Sequence, residues 1–133
     1  VLQHTVGPTP NNITISGTPQ AGQGGAYLIG FTVTNEKGCV LNQNYTLAIC
    51  EVTVAAFTFA SGSVGSPYLQ GPLTLSGATG QASWSVSGAL PENVQMYSNG
   101  TVIGTPTSFG QFSFTATGVD SVGCSASSIF SLV

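Results

Sequence analysis

The sequence contains very few charged side chains. Only 4% of its 133 residues are charged, with one Lys or Arg and four Asp or Glu, and its net charge is −3. Proteins that bind nucleic acid neutralise phosphates with several cationic side chains, so nucleic acid is excluded as a partner. Anionic membrane surfaces are disfavoured for the same reason. The surface of the folded chain must therefore be polar without being ionic.

Long apolar runs are also missing. No stretch of about 18 apolar residues occurs, and no basic segment leads into an apolar one as in a signal peptide. We therefore expect no membrane insertion, and the composition suits a mature extracellular or cell-surface segment. Since 41% of the residues are hydrophobic, the chain should fold rather than stay disordered.

Residues for catalysis or metal binding are equally scarce. His4 is the only histidine, so a Ser-His-Asp or Cys-His arrangement would depend on that one residue. The four acids, Glu36, Glu51, Glu92 and Asp120, are scattered, whereas calcium needs six to eight oxygen ligands at one place. We expect no enzyme activity, no cofactor and no metal site.

An internal repeat organises the chain. Gly17-Thr18-Pro19 recurs 87 residues later as Gly104-Thr105-Pro106, and Gly38-Cys39 recurs 85 residues later as Gly123-Cys124. Between these landmarks an alternating apolar pattern coincides in both copies. Its members are Tyr27, Ile29, Phe31 and Val33 in the first copy, and Phe112, Phe114, Ala116 and Gly118 in the second.

The pattern after Glu51 predicts seven strands and no helix. The strands are Val52–Phe59, Tyr68–Ser76, Gln81–Ser87, Val94–Tyr97, Thr101–Ile103, Gln111–Thr117 and Ile129–Val133. Alternation with serines places Trp84 on an inward face, and Asn99-Gly100 predicts a two-residue type I′ hairpin turn. This spacing is typical of a β-sandwich.

The motifs of the second copy resemble a known family. They are Leu90-Pro91, the run from Asn99 to Pro106, the run from Phe112 to Thr117, and Gly123-Cys124. These are similar to the immunoglobulin-like repeat found in tandem on large prokaryotic surface proteins. The resemblance implies an all-β, immunoglobulin-like β-sandwich, and it is specific for fold rather than function.

The repeat also predicts the domain organisation. Residues 50–133 are expected to form a complete immunoglobulin-like domain. Residues 1–49 are expected to be the C-terminal half of a preceding one, because the period of 85 carried backwards enters that copy at about its fourth strand. A half-sandwich exposes strand edges and an apolar face, so we expect strands from outside this sequence to cover it.

The fold implied by the resemblance ranks the cysteine pairings. In that fold the first strand begins at the same pole as the loop before the last strand, which predicts a disulfide between Cys50 and Cys124. This bridge also rules out a zinc site. Cys39 is then left unpaired or bonded to a cysteine elsewhere, and the odd count favours an oxidising compartment.

Three N-glycosylation sequons and one aromatic pair complete the candidates. The sequons begin at Asn12, Asn44 and Asn99, and each lies at a predicted strand end or turn. Tyr68 and Tyr97 would stack a sugar if both were exposed, although core packing is the more frequent role of such residues.

These observations predict a non-enzymatic extracellular module with a structural or adhesive role. It would be part of a tandem-repeat surface protein or a subunit of a cell-surface fibre assembled through open β edges. Its expected partners are other copies of itself, neighbouring repeats of the same protein and surface glycans. The alternative is a carbohydrate-binding accessory domain of a secreted enzyme.

Overall fold

The computed structural model describes residues 3–6, for the backbone alone, and residues 13–133. All regular structure in these residues is β-strand. The strands are β1 (Gln3–Val6), β2 (Ile13–Ser16), β3 (Gly25–Thr34), β4 (Val40–Ile49), β5 (Thr53–Val54), β6 (Tyr68–Gln70), β7 (Leu75–Ser76), β8 (Ser83–Gly88), β9 (Val94–Met96), β10 (Val102–Gly104), β11 (Phe112–Val119) and β12 (Ser125–Leu132). No helix long and apolar enough to cross a membrane occurs in the described part.

Strands β5 to β12 form an immunoglobulin-like β-sandwich, as the sequence predicts. One sheet has the order β6-β10-β9 and the other β12-β11-β8, while β5 pairs with β7. Every pairing is antiparallel. Apolar side chains from both sheets meet in one buried cluster, which is the core of the sandwich.

Aromatic rings fill the centre of that core. The ring of Phe59 lies 5.4 Å from the ring of Phe114 and 5.4 Å from that of Phe130, both edge-to-face. Val102 and Phe114 are completely enclosed. Trp84 is buried on β8, so the prediction of an inward-facing tryptophan is confirmed. The alternation of apolar and small polar residues thus places one face of each strand in the core.

Several predicted strands have different bounds in the structure. The expected strand from Tyr68 to Ser76 is divided into β6 and β7 at Gly71-Pro72, because proline has no N–H to donate and Gly71 has a positive φ. The first expected strand is reduced to β5, although Phe57 and Phe59 still pack in or against the core.

The Asn99-Gly100 turn is also different from the prediction. Only Gly100 has a positive φ, whereas a type I′ turn needs positive φ at both central residues. The Gly100 N–H donates to the Tyr97 carbonyl, and Tyr97 and Thr101 close the loop with a second hydrogen bond. The connection is therefore a three-residue loop with a left-handed glycine at its end.

The residues before Cys50 form two hairpins. β1 pairs with β2 over four residues, and β3 pairs with β4 over ten. Within residues 3–6 and 13–133 these four strands pair with no other strand.

Candidate functional site: the open face of the N-terminal hairpins

The β3–β4 hairpin repeats the pairing of the β11–β12 hairpin. Tyr27 pairs with Leu47, and 85 residues later Phe112 pairs with Leu132. Each of the other seven pairs of β11 and β12 also matches a pair of β3 and β4 under the same shift. Equivalent residues consequently lie on equivalent faces of the two hairpins.

The turns of the two hairpins share a side-chain cap as well. The Asn35 side-chain oxygen accepts hydrogen bonds from Lys37 N at 3.0 Å and Cys39 N at 2.9 Å. Asp120 accepts the equivalent bonds from Val122 N at 3.0 Å and Cys124 N at 2.8 Å. The repeat is thus preserved in the backbone of the turn, not only in the sequence.

Asp120 has one further contact that Asn35 does not share. Its second oxygen accepts a hydrogen bond from Thr79 N at 2.9 Å, which connects the turn to the loop after β7. The bond from Thr79, with those from Cys124 and Val122, holds the pKa of the Asp120 carboxyl below its usual value, although burial acts in the opposite direction. The ionised carboxylate therefore stabilises this pole of the sandwich.

Each hairpin has a different set of neighbours. In the sandwich β11 lies between β12 and β8, and β10 lies between β9 and β6. β3 pairs with β4 alone and β2 with β1 alone in the described residues. One edge of β3 and one edge of β2 consequently present backbone groups without a strand partner in this part of the chain.

One side of the β3–β4 hairpin corresponds to the side of the β11–β12 hairpin that faces the core, and this side is apolar and accessible. We call it the open face, and it consists of Tyr27, Ile29, Phe31, Val33, Leu41, Gln43, Tyr45 and Leu47. Tyr45 is 59% exposed and Leu41 is 64% exposed, whereas Phe130, the equivalent of Tyr45, is 8% exposed. The open face is therefore far more exposed than the equivalent face of the β11–β12 hairpin.

A groove runs along the open face between the two hairpins. Its volume is about 950 Å³, and the walls include Ile13 and Ile15 of β2 with Ile29 and Phe31 of β3. The ring of Phe31 packs edge-to-face on that of Tyr45 with their centres 5.6 Å apart. Apolar grooves of this size are typical of sites for ligands or partner segments.

The opposite side of the hairpin combines polar residues with the exposed Leu28 and Val40. The Thr32 hydroxyl donates to the Asn42 side-chain oxygen at 2.7 Å, and Asn44 lies exposed on the same side. The sequon at Asn44 therefore points away from the groove. The sequon at Asn99 is exposed in the β9–β10 loop, where its side-chain oxygen accepts a bond from Thr101 N. Asn12 lies outside the described residues.

Two of the three cysteines lie together in the structure. Cys50 and Cys124 form a disulfide with an S–S distance of 2.07 Å. Cys39 is an exposed free thiol. It occupies the position in the β3–β4 hairpin that Cys124 occupies in the β11–β12 hairpin, as the shift of 85 requires.

The link between the hairpins and the sandwich contains a contact that sequence reasoning missed. The Glu51 carboxylate accepts hydrogen bonds from Gly22 N at 2.8 Å and from Gly24 N at 3.1 Å. Glu51 follows the disulfide cysteine, and the two glycines lie in the loop before β3. We call these hydrogen bonds the Glu51 clamp. They hold the loop before β3 against the start of the sandwich.

The other chemical candidates are not brought together. His4 lies in β1, and the described residues hold no group of three His, Cys, Asp or Glu side chains that would bind a metal ion. Tyr68 is buried and donates its hydroxyl to the Ala60 carbonyl at 2.6 Å, while Tyr97 is half exposed. Tyr68 therefore forms no sugar-stacking platform with Tyr97.

Comparison with known protein families identifies the sandwich. No curated protein matches the chain. The family model described as Putative Ig domain matches residues 49–133, which is more than half of the chain and coincides with β5 to β12 and their disulfide. The motifs that resemble an immunoglobulin-like repeat, the two-sheet sandwich and this match agree, and the chain belongs to the Putative Ig domain family.

Proposed function

We propose that the protein is a non-enzymatic, extracellular structural or adhesive module that joins neighbouring repeats or subunits through its open face. Residues 50–133 act as a complete domain, and residues 1–49 act as the C-terminal half of another. The observation that carries the proposal is the equivalence of the two hairpins. The same register and the same alternation form a buried core in one hairpin and an accessible apolar face in the other.

The physical argument is the cost of that exposure. Apolar surface in water is unfavourable by roughly 25 cal/mol per Å², and an unpaired strand edge is a template for another strand. A partner strand that pairs with β3 would satisfy the unpaired edge, and its side chains on the same side as the open face would reduce the exposed apolar surface. This is β-augmentation, in which backbone hydrogen bonds give affinity and alternate side chains give selectivity.

The remaining surface supports an extracellular assembly. A disulfide persists in oxidising compartments, and so few charges leave little repulsion between crowded copies. The accessible sequons at Asn44 and Asn99 are suitable for glycans that point away from the groove. Cys39, at the rim of the open hairpin, is placed to bond a cysteine of the covering segment.

Non-reducing mass spectrometry of the native material tests the proposal. We expect Cys50 bonded to Cys124 within the chain, and Cys39 bonded to a cysteine outside residues 1–133. Native size measurement of the same sample should give a mass well above the 13.4 kDa of this chain. A free Cys39 thiol in native material of that lower mass would contradict the proposal.

A further inference from the structure

One end of the open face carries larger side chains than its buried counterpart. Under the shift of 85, Phe31, Val33 and Leu41 replace Ala116, Gly118 and Ala126. Val33 and Leu41 are directly paired across the hairpin. The extra volume is therefore concentrated at the end of the hairpin next to its turn.

Trp84 fills this position in the complete domain. β8 pairs with β11 so that Trp84 lies opposite Gly118. A Cβ placed on Gly118 would lie 3.0 Å from the nearest atom of the indole ring, which is closer than such contacts normally are. The indole is buried against β11 because residue 118 has no side chain.

The same indole does not fit over β3. Val33 has a branched side chain at the position of Gly118, and Leu41 replaces the small Ala126 beside it. Protein cores are close-packed, and additional methyl groups force neighbouring side chains away from favourable rotamers. A strand paired with β3 in the register of β8 must consequently carry a small residue opposite Val33.

Charge further restricts the partner strand. β3 and β4 contain no charged residue, and Glu51, which follows β4 at the end of the hairpin away from its turn, is the one charged residue among those that line the groove. A charged side chain placed beside Val33 and Leu41 would lose its hydration without gaining a counter-ion. The strand that fits has small or apolar uncharged residues at the alternate positions that face the groove.

We propose that the open face accepts an extended, uncharged strand of a different polypeptide, antiparallel to β3, with Gly, Ala or Ser opposite Val33. Val33 and Leu41 reject β8 of a second copy, because Trp84 would overlap their side chains. This inference rests on the proposed function and adds the selectivity of its docking surface. Neighbouring copies can then lie side by side without exchanging β8.

Two capped peptides test this selectivity. One has the sequence of residues 80–90, and the other has the same sequence with Trp84→Ala. We expect the Ala peptide to bind the intact chain at least tenfold more tightly than the Trp peptide, by fluorescence anisotropy. The double variant V33G/L41A should bind the Trp peptide at least tenfold more tightly than the wild-type chain does.

Leu28→Ala is the matched control for Leu41→Ala. Leu28 lies on the opposite side of the same hairpin and is 73% exposed, against 64% for Leu41. The control should keep the peptide preference of the wild-type chain. Equal affinity for both peptides, or an unchanged preference in V33G/L41A, would overturn the steric rule.

Two other results would overturn the choice of occupant. A dimer of the chain that grows with concentration and resists peptide would identify a second copy on the open face. That result would leave the proposed assembly function intact. Binding of neither peptide, with slow amide exchange along both edges of β3, would contradict docking itself and therefore the proposed function too.

A stability cycle in the complete domain tests the steric rule without any docking. Gly118→Val should lower the Tm by about 5 °C or more when Trp84 is present, because the valine overlaps the indole. In the Trp84→Ala background the same substitution should be neutral or raise the Tm, since it refills the vacated space. An equal loss in both backgrounds would refute the rule.

Discussion

Ile29 and Phe114 occupy equivalent positions in the two hairpins, but their environments differ. Phe114 is 1% exposed and packs against the rings of Phe59 and Phe130. Phe114→Ala should lower the free energy of unfolding of the complete domain by about 3–5 kcal/mol, because it leaves a cavity in the core. Ile29→Ala should change it by less than about 1 kcal/mol.

Urea unfolding of the isolated chain, followed by Trp84 fluorescence, measures both variants. Trp84 reports on the complete domain, since it lies in that core. A large loss from Ile29→Ala would mean that the hairpin is already covered within this chain, which would contradict the open face.

Asp120 should make the stability of the complete domain dependent on pH. Its pKa is lowered in the folded state, first by the hydrogen bond from Thr79 and then by those from the following turn. The stabilisation is therefore fully present above the unfolded carboxyl pKa of about 4, and it is lost as the pH falls through the folded pKa.

The variant that tests this is Asp120→Asn. Asparagine can still accept from Val122 and Cys124, as Asn35 does in the first hairpin, but it carries no ionised group. We expect lower stability at pH 7 and a weaker decline below pH 4 in pH-dependent urea unfolding. Glu36→Gln, which changes the same charge in the other hairpin turn, should keep the wild-type profile.

At the scale of elements, the Glu51 clamp connects the loop before β3 to the entry of the sandwich. Glu51→Ala should remove the acceptor for the Gly22 and Gly24 amides and raise their hydrogen-exchange rates about tenfold. Glu92→Ala, which removes the same charge elsewhere, should leave these two amides unchanged. Unaltered exchange at Gly22 and Gly24 in the Glu51 variant would show that other contacts hold the loop.

Sequence reasoning succeeded for elements whose residues alternate strictly. β8 and β11 were predicted close to their observed positions because small polar and apolar residues alternate along them. Sequence reasoning failed where a strand pairs along only one edge or where the backbone has unusual dihedral angles. The extended segment around Phe57 buries its side chain beyond β5, and Gly71-Pro72 interrupts the next predicted strand.

The candidate site was predictable only in outline. The repeat places the open face on β3 and β4, and the shift of 85 identifies each equivalent residue. The contacts of Glu51 and Asp120 with backbone amides were not predictable, because a carboxylate that accepts from a distant N–H leaves no pattern in the sequence. The contact between Gly118 and Trp84 also needed coordinates, since it depends on the direction of one ring.

For the whole molecule, the disulfide should contribute strongly to the stability of the sandwich. Cys50 and Cys124 are 74 residues apart, so their bond removes much of the freedom of the unfolded chain. The double variant C50S/C124S should lose about 2–5 kcal/mol in urea unfolding. Cys39→Ser should leave this value unchanged, because Cys39 has no bond within the chain.

An equal loss of stability in C50S/C124S and in Cys39→Ser would instead indicate that the three thiols exchange disulfide partners. Mass spectrometry of the oxidised wild-type chain separates the two cases. It should detect one peptide pair, containing Cys50 and Cys124, and an alkylated Cys39.

The position of the same covalent bond determines how the molecule responds to being pulled. A load applied between Cys50 and Val133 passes through the sulfur atoms and bypasses β5 to β11. Only the segment after Cys124 can then be drawn out, to about 30 Å at roughly 3.3 Å per residue. Under tension the oxidised domain behaves as a nearly inextensible link, because β12 alone among its strands lies in the path of the force.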